Sequence, residues 1–115
     1  MKQEDSLQVA IANYLRLQYP KAFWCHPPNG GKRNVIEAAK FKKMGVRAGL
    51  PDILIFERID DCAGLFLELK AGKNKETELQ IFAMNELRRN GWIGWIVYNF
   101  DDAKVFIDAY LKNVK

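Results

Sequence analysis

The sequence predicts an α/β fold in which a mixed sheet of about four strands is flanked by helices. Segments with apolar residues at helical spacing alternate along the chain with short apolar runs of strand length. Turns rich in Gly, Pro and Asp separate these segments. The 115 residues, 49% of them hydrophobic, suit one compact core. We therefore expect a single domain over residues 1–115.

The first half of the chain is predicted to contain two helices and a short strand. Apolar residues recur at helical spacing over residues 5–18, and Tyr19-Pro20 ends that run. Residues 22–25 form a short apolar stretch that suits a first strand. Asn34 can cap a second helix, which is expected to stop near Gly45.

The second half of the chain is predicted to contain three strands and two helices. Residues 52–56 and 65–70 read as strands, and the turn-like residues between them predict a hairpin. A helix over residues 77–90, a strand over 92–98 and a last helix capped by Asp101 complete the order. The residues of the 77–90 helix that are expected to face inward are Leu79, Phe82, Ala83 and Leu87.

Composition excludes several classes of protein. With 28% charged residues the chain is neither a membrane protein nor disordered by composition. No apolar run approaches the roughly 18 residues that span a bilayer, and the polar N-terminus predicts no signal peptide. We expect a cytoplasmic protein that stays in the cell that makes it. Cys25 and Cys62 are then expected to be thiols, since a zinc site with His26 would lack a fourth ligand.

Positive charge is concentrated in residues 32–47. That segment has six basic residues against Glu37 alone, a net of +5 in a chain whose total is +4. The basic residues are Lys32, Arg33, Lys40, Lys42, Lys43 and Arg47. Such a cluster predicts a surface that binds the phosphates of nucleic acid, although an ordinary solvated helix face has the same composition.

The strand over residues 65–70 carries the most informative pair of side chains. Because side chains alternate along a strand, Glu68 and Lys70 share one face. Alone they suit a structural ion pair. In the predicted hairpin, however, Asp52 begins the neighbouring strand beside them, and two adjacent carboxylates need a cation between them. Oxygen ligands of this kind select Mg²⁺ or Mn²⁺.

These residues also resemble a known family. Pro51-Asp52 followed by Glu68-Leu69-Lys70 resembles the PD-(D/E)xK nucleases, whose core is like that of restriction endonucleases. The wider pattern is similar to the VRR-NUC domain in its small stand-alone form from phages and prophages. The segments that carry this similarity are residues 26–33, 43–52 and 65–70, followed by Gln80 and Phe82.

The resemblance implies a role for each residue of the site. Asp52 and Glu68 would hold Mg²⁺ or Mn²⁺ with the Leu69 carbonyl, and Lys70 would activate the attacking water. Glu4 and Gln80 match further residues of the family site. The residues expected to contact DNA are Lys32, Arg33, Lys40, Lys43 and Arg47.

The function expected from these observations is metal-dependent hydrolysis of DNA phosphodiester bonds. The resemblance implies a homodimer and a Holliday junction or another branched DNA as substrate. The alternative is a DNA-binding module without catalysis that uses residues 32–47. His26 is interpreted as a packed loop residue in preference to a general base, since two prolines follow it.

Overall fold

The computed structural model describes residues 2–28 and 34–112 of the chain. Within them a four-stranded sheet is covered by helices, as the sequence predicts. The helices are α1 (Gln3–Gln18), α2 (Val35–Lys43), α3 (Glu78–Arg89) and α4 (Phe100–Leu111). The strands are β1 (Trp24–Cys25), β2 (Ile53–Ile55), β3 (Gly64–Leu69) and β4 (Trp92–Val97).

The strands lie in the order β1-β2-β3-β4, so neighbours in sequence are neighbours in the sheet. β1 pairs with β2 and β2 with β3 in antiparallel fashion, which confirms the predicted hairpin. β4 runs parallel to β3 because α3 carries the chain back across the sheet. β3 is thus a central strand, and all six of its residues are buried.

The two faces of the sheet have different coverings. The larger core lies under α1 and α4, where alternate residues of β3 such as Leu65 and Leu67 pack with Ile11 and Ile107. The intervening residue Phe66 faces the other way and packs against α3. The alternation predicted for β3 is therefore confirmed, and it places Glu68 and Lys70 on the side of Phe66.

Two details of the predicted helices are wrong. Asn99, and not Asp101, caps α4, because its side chain accepts the Asp102 amide at 2.8 Å. In α3 the buried residues are Ala83 and Met84, whereas Leu79 and Phe82 are more than half exposed. A short sheet needs only a narrow stripe of α3 to cover it, so two of the four expected inward residues lie outside that stripe.

Helix α2 differs from the other three helices because none of its residues is buried. Its predicted start is confirmed, since the Asn34 side chain accepts the Glu37 amide at 2.7 Å. Val35 and Ile36 in its first turn are each more than four-fifths exposed. None of the helices in the described part of the chain has the length and hydropathy to span a bilayer.

Candidate functional site

Asp52 and Glu68 face each other across the antiparallel pair of β2 and β3. Ile53 lies opposite Leu67, so one step further the register sets Asp52 opposite Glu68. The Asp52 carboxylate accepts the Leu69 amide at 2.8 Å. This contact fixes the Asp52 side chain against the end of β3. The carboxylates of Asp52 and Glu68 therefore lie close together in the structure, as the sequence predicts.

Glu68 is a buried acid with an unsatisfied oxygen. It is only 1% exposed, and its Oε2 has no hydrogen-bond partner. Burial, a hydrogen bond shared with the Asp52 carboxyl and the charges of Asp52 and Glu4 raise its pKa to about 9, although Lys70 opposes the shift. A carboxylate in this position is costly unless a cation or a proton compensates it.

Lys70 does not form the ion pair with Glu68 that the sequence left open. Its Nζ donates to Gln80 Oε1 at 2.8 Å, and the ion pairs within the described residues are Arg89–Glu86 and Lys104–Asp108. Lys70 is only 6% exposed. Its ammonium is therefore held beside the carboxylates by a neutral partner, which leaves its charge uncompensated by a direct contact.

Gln80 connects Lys70 to the start of α3. Its Oε1 also accepts the Thr77 amide at 2.8 Å, and its own amide donates to Thr77 Oγ1 at 3.2 Å. These two bonds form a capping box, which ties Gln80 to the first turn of the helix. The position of the lysine thus depends on where α3 begins.

Glu4 lies near this group from the first turn of α1. Its charge contributes to the raised pKa of Glu68, and its Oε2 accepts Asn74 Nδ2 at 3.3 Å. Gln8, one turn further along α1, has a buried Oε1 without a partner. Asn74 gives no sequence signal of a role, because a loop asparagine in a polar stretch has no distinctive pattern.

The described residues suit a hard divalent cation. They contain no group of three or more His, Cys, Asp or Glu side chains in metal-binding proximity, so the protein ligands would be Asp52, Glu68 and main-chain oxygen. Mg²⁺ commonly uses one or two carboxylates and keeps several waters. The orphaned Oε2 of Glu68 is the kind of atom that such a cation satisfies.

A comparison with solved structures finds the same overall fold. A structure described as a "VRR_NUC domain protein" superposes with a TM-score of 0.78 and 28% sequence identity, over 97% of this chain and 90% of that one. This chain has the fold of a VRR-NUC domain. No family model matches the sequence, and no curated protein does either.

The VRR-NUC fold explains why these side chains meet at one end of the sheet. The β2–β3 hairpin supplies Asp52, Glu68 and Lys70, and the helix after β3 returns Gln80 to the same end. The similarity is to a nuclease domain, so its implied class of activity is nucleic-acid hydrolysis. The predicted resemblance and the predicted α/β core are confirmed.

The described basic residues of segment 32–47 lie in α2 and the loop after it. Lys40, Lys43 and Arg47 are exposed, while Lys32 and Arg33 lie outside the described residues. Arg47 lines an open cavity of about 640 Å³ that also reaches Gly49 and Leu79, close in sequence to Asp52 and Gln80. The cavity is therefore lined by part of the basic segment, and Asp52, Glu68, Lys70 and Gln80 are not among its lining residues.

The loop before Asp52 packs tightly on α3. Gly49 has a φ of +86°, and a Cβ at this position would lie 2.8 Å from the Leu79 main chain. Both the backbone conformation and the space require glycine. The loop that leads to Asp52 is therefore packed directly against α3, the helix that carries Gln80.

His26 is the residue whose interpretation changes most. It is exposed, so the prediction of a packed loop residue is wrong. Its Nδ1 lies 2.7 Å from the main-chain oxygen of Asp52. Cys25 and Cys62 are free thiols in the structure, as expected from the sequence.

Proposed function

We propose that this chain is a metal-dependent nuclease that hydrolyses DNA phosphodiester bonds at the Asp52–Glu68–Lys70 site. The observation that carries the proposal is the buried Glu68, whose unpartnered oxygen lies beside a second carboxylate and an ammonium. A purely structural site would pair these charges with each other, but Lys70 binds Gln80. The similarity to a nuclease domain supports the same conclusion.

Asp52 and Glu68, with the Leu69 carbonyl, would hold Mg²⁺ or Mn²⁺. When bound, such a cation polarises a phosphoryl oxygen and acidifies a coordinated water. The Leu69 amide keeps the Asp52 carboxylate directed along the end of β3. Asp52 and Glu68 would thus act as preformed oxygen ligands, because Glu68 lies in β3 and Asp52 directly precedes β2, opposite Glu68.

Lys70 would hold the attacking water and stabilise negative charge on the phosphate. Its Nζ has three donors, of which one is used on Gln80 Oε1. The remaining donors are free to hold a water and a phosphate oxygen in one orientation. Gln80 is the residue that sets the direction of the ammonium, and Glu4 adds negative charge at the rim of the site.

The substrate is proposed to be branched DNA, cut by a homodimer of the 115-residue nuclease domain. One chain offers one Asp52–Glu68 pair, whereas symmetric cleavage of a four-way junction needs two sites related by a two-fold axis. Lys40, Lys43 and Arg47 are exposed and positively charged, which suits contact with the phosphate backbone. Light scattering should give about twice the chain mass.

The test is a cleavage assay on a four-way junction, a flap and a plain duplex, with Mg²⁺, Mn²⁺ or EDTA. The wild type should cut with either metal and not with EDTA. Lys70→Met keeps the aliphatic stem but removes the ammonium, and it should lower the rate by at least about a hundredfold. Lys21→Ala, at an exposed lysine in the turn after α1, is the control and should cut normally.

Two results would overturn the proposal. One is a wild type that binds DNA but cuts none of the substrates with either metal, which would favour the non-catalytic DNA-binding module. The other is Lys70→Met with wild-type cleavage. Circular dichroism of each variant establishes that the fold is retained.

A further inference from the structure

His26 donates a hydrogen bond to the main chain of Asp52. The Nδ1 atom lies 2.7 Å from the Asp52 carbonyl oxygen. A carbonyl oxygen can only accept, so Nδ1 carries the hydrogen. In the neutral ring Nε2 is then without a hydrogen, which fixes one of the two tautomers.

The register of β1 and β2 explains why a side chain makes this bond. Trp24 lies opposite Ile55 and Cys25 opposite Leu54, so two steps further Pro27 lies opposite Asp52. The Phe56 amide donates to the Phe23 carbonyl at 2.8 Å. In antiparallel pairs the hydrogen-bonded positions alternate with positions that have no such bond. The 27–52 pair is therefore a hydrogen-bonded position of this ladder.

Pro27 cannot supply the amide that this position requires. Proline has no N–H, so the Asp52 carbonyl would lose its ladder donor where β1 ends. The His26 ring reaches the same oxygen from the preceding residue. The side chain thus replaces the amide that the proline lacks, and the ladder is extended by one bond.

We propose that His26 is a positioning residue for the Asp52 carboxylate. This inference rests on the proposed nuclease function, in which Asp52 is a metal ligand. Asp52 is held at two points, its carbonyl by His26 Nδ1–H and its carboxylate by the Leu69 amide. Without the first bond the start of β2 can move away from β1, and the carboxylate loses its fixed place opposite Glu68. Substitution of a group that orients a metal ligand commonly lowers metal affinity by about 10- to 100-fold.

Two conservative substitutions separate the roles of the two ring nitrogens. In His26→Asn the side-chain amide nitrogen takes the place of Nδ1, so the bond to Asp52 is retained. In His26→Gln the amide nitrogen takes the place of Nε2, so the bond is lost. The Gln variant should need about tenfold more Mg²⁺ for half-maximal cleavage, whereas the Asn variant should stay within about threefold of wild type.

A second measurement does not depend on cleavage. In the metal-free protein the Leu69 amide, which donates to Asp52, should exchange with solvent about tenfold faster in His26→Gln than in His26→Asn or wild type. The chain contains one histidine, so its ring ¹⁵N signals need no assignment. They should show the tautomer with hydrogen on Nδ1.

The outcomes distinguish this inference from the proposed function. Equal Leu69 exchange in the Asn and Gln variants would overturn the positioning role, and so would hydrogen on Nε2 alone. Loss of cleavage in the Asn variant with retention in the Gln variant would also overturn it, because Nε2 would then be the important atom. If the wild type cuts no DNA, the nuclease proposal fails, while the exchange measurement still decides whether His26 positions Asp52.

Discussion

Glu68 is a residue whose environment opposes its own charge. Its folded pKa of about 9 lies above the ordinary value of 4.5, because the carboxyl is buried beside Asp52. The unfolded state releases the proton more easily, so the free energy of unfolding falls as the pH rises from about 4.5 to about 9. A metal-free protein should accordingly be most stable towards the acidic end of that window.

Glu68→Gln removes this cost and keeps a donor for Asp52. At pH 7 to 9, without metal, we expect the variant to be more stable than wild type by about 1–3 kcal/mol, and its stability to lose most of the pH slope. It should also lose cleavage activity. Urea unfolding at several pH values in EDTA measures the effect. A wild-type stability that is flat across the window would contradict it.

The residues that could be predicted are those that obey strand geometry. Alternation fixes the faces of Glu68 and Lys70, and hairpin pairing brings Asp52 to Glu68. The partner of Lys70 could not be predicted in this way, because Gln80 reaches it from a separate helix. The role of His26 was missed because it depends on the register of β1 with β2, which a two-residue strand does not reveal in sequence.

At the scale of elements, helices α3 and α4 offer a matched pair of caps. Thr77 caps α3 and Asn99 caps α4, each by accepting an amide three residues further on. Replacing either with alanine should cost about 1 kcal/mol of stability. Only the cap of α3 lies next to the residue that holds Lys70. Thr77→Ala keeps the main-chain bond to Gln80 Oε1 but loses the Oγ1 bond to the Gln80 amide, which loosens the turn that carries Gln80.

We therefore expect Thr77→Ala to lower the cleavage rate by about tenfold and Asn99→Ala to change it little. Thermal unfolding should give similar losses of stability for the two variants, which makes each the control for the other. An equal effect of both variants on the rate would show that α3 does not position the lysine.

The cap of α4 shows why element boundaries were harder to predict than element types. Asn99, Asp101 and Asp102 can all cap a helix, and sequence preference does not separate them. In the structure Asn99 is the cap and Phe100 is the first residue of α4. The Phe100 ring packs edge-on against Tyr14 with centroids 5.6 Å apart, a long-range contact that cap preferences do not reveal.

At the scale of the whole molecule, Asp108 joins the two helices on the larger core. It accepts hydrogen bonds from Tyr14 at 2.5 Å, from Tyr19 at 2.8 Å and from Lys104 at 2.9 Å. Partial burial raises the pKa of Asp108, but these donors outweigh it and hold the pKa below the ordinary value of 3.8. The stability that Asp108 adds is present above pH 3.8 and is lost as the pH falls through its lower folded pKa.

Asp108→Asn should therefore destabilise the protein at neutral pH and weaken its sensitivity to acid below pH 4. Asp101→Asn, at an exposed acid on the same helix, is the control and should change neither property. Acid unfolding followed by circular dichroism compares them. Parallel acid transitions for Asp108→Asn and wild type would show that the two tyrosine bonds survive protonation.

The exposed basic side chains make a prediction about DNA affinity. If Lys40 and Lys43 each neutralise one phosphate, the double alanine variant should reduce the slope of log Kd against log salt by about 1.8. Fluorescence anisotropy with EDTA present measures binding without cleavage. Replacing Lys21 and Lys112, which are also exposed, is the matched control and should leave the slope unchanged.

The central position of β3 also has a consequence for the order in which the chain folds. Asp52, Glu68, Lys70 and Gln80 all come from one short stretch that includes the β2–β3 hairpin, whereas Tyr14 and Asp108 are 94 residues apart. Closing a short loop costs less entropy than joining distant segments, so near contacts form first. The hairpin with both carboxylates is then expected to pair before α1 and α4 close over it. Asp52 and Glu68 would then repel each other early in folding. Because a divalent cation offsets this repulsion, it would increase the folding rate as well as the final stability.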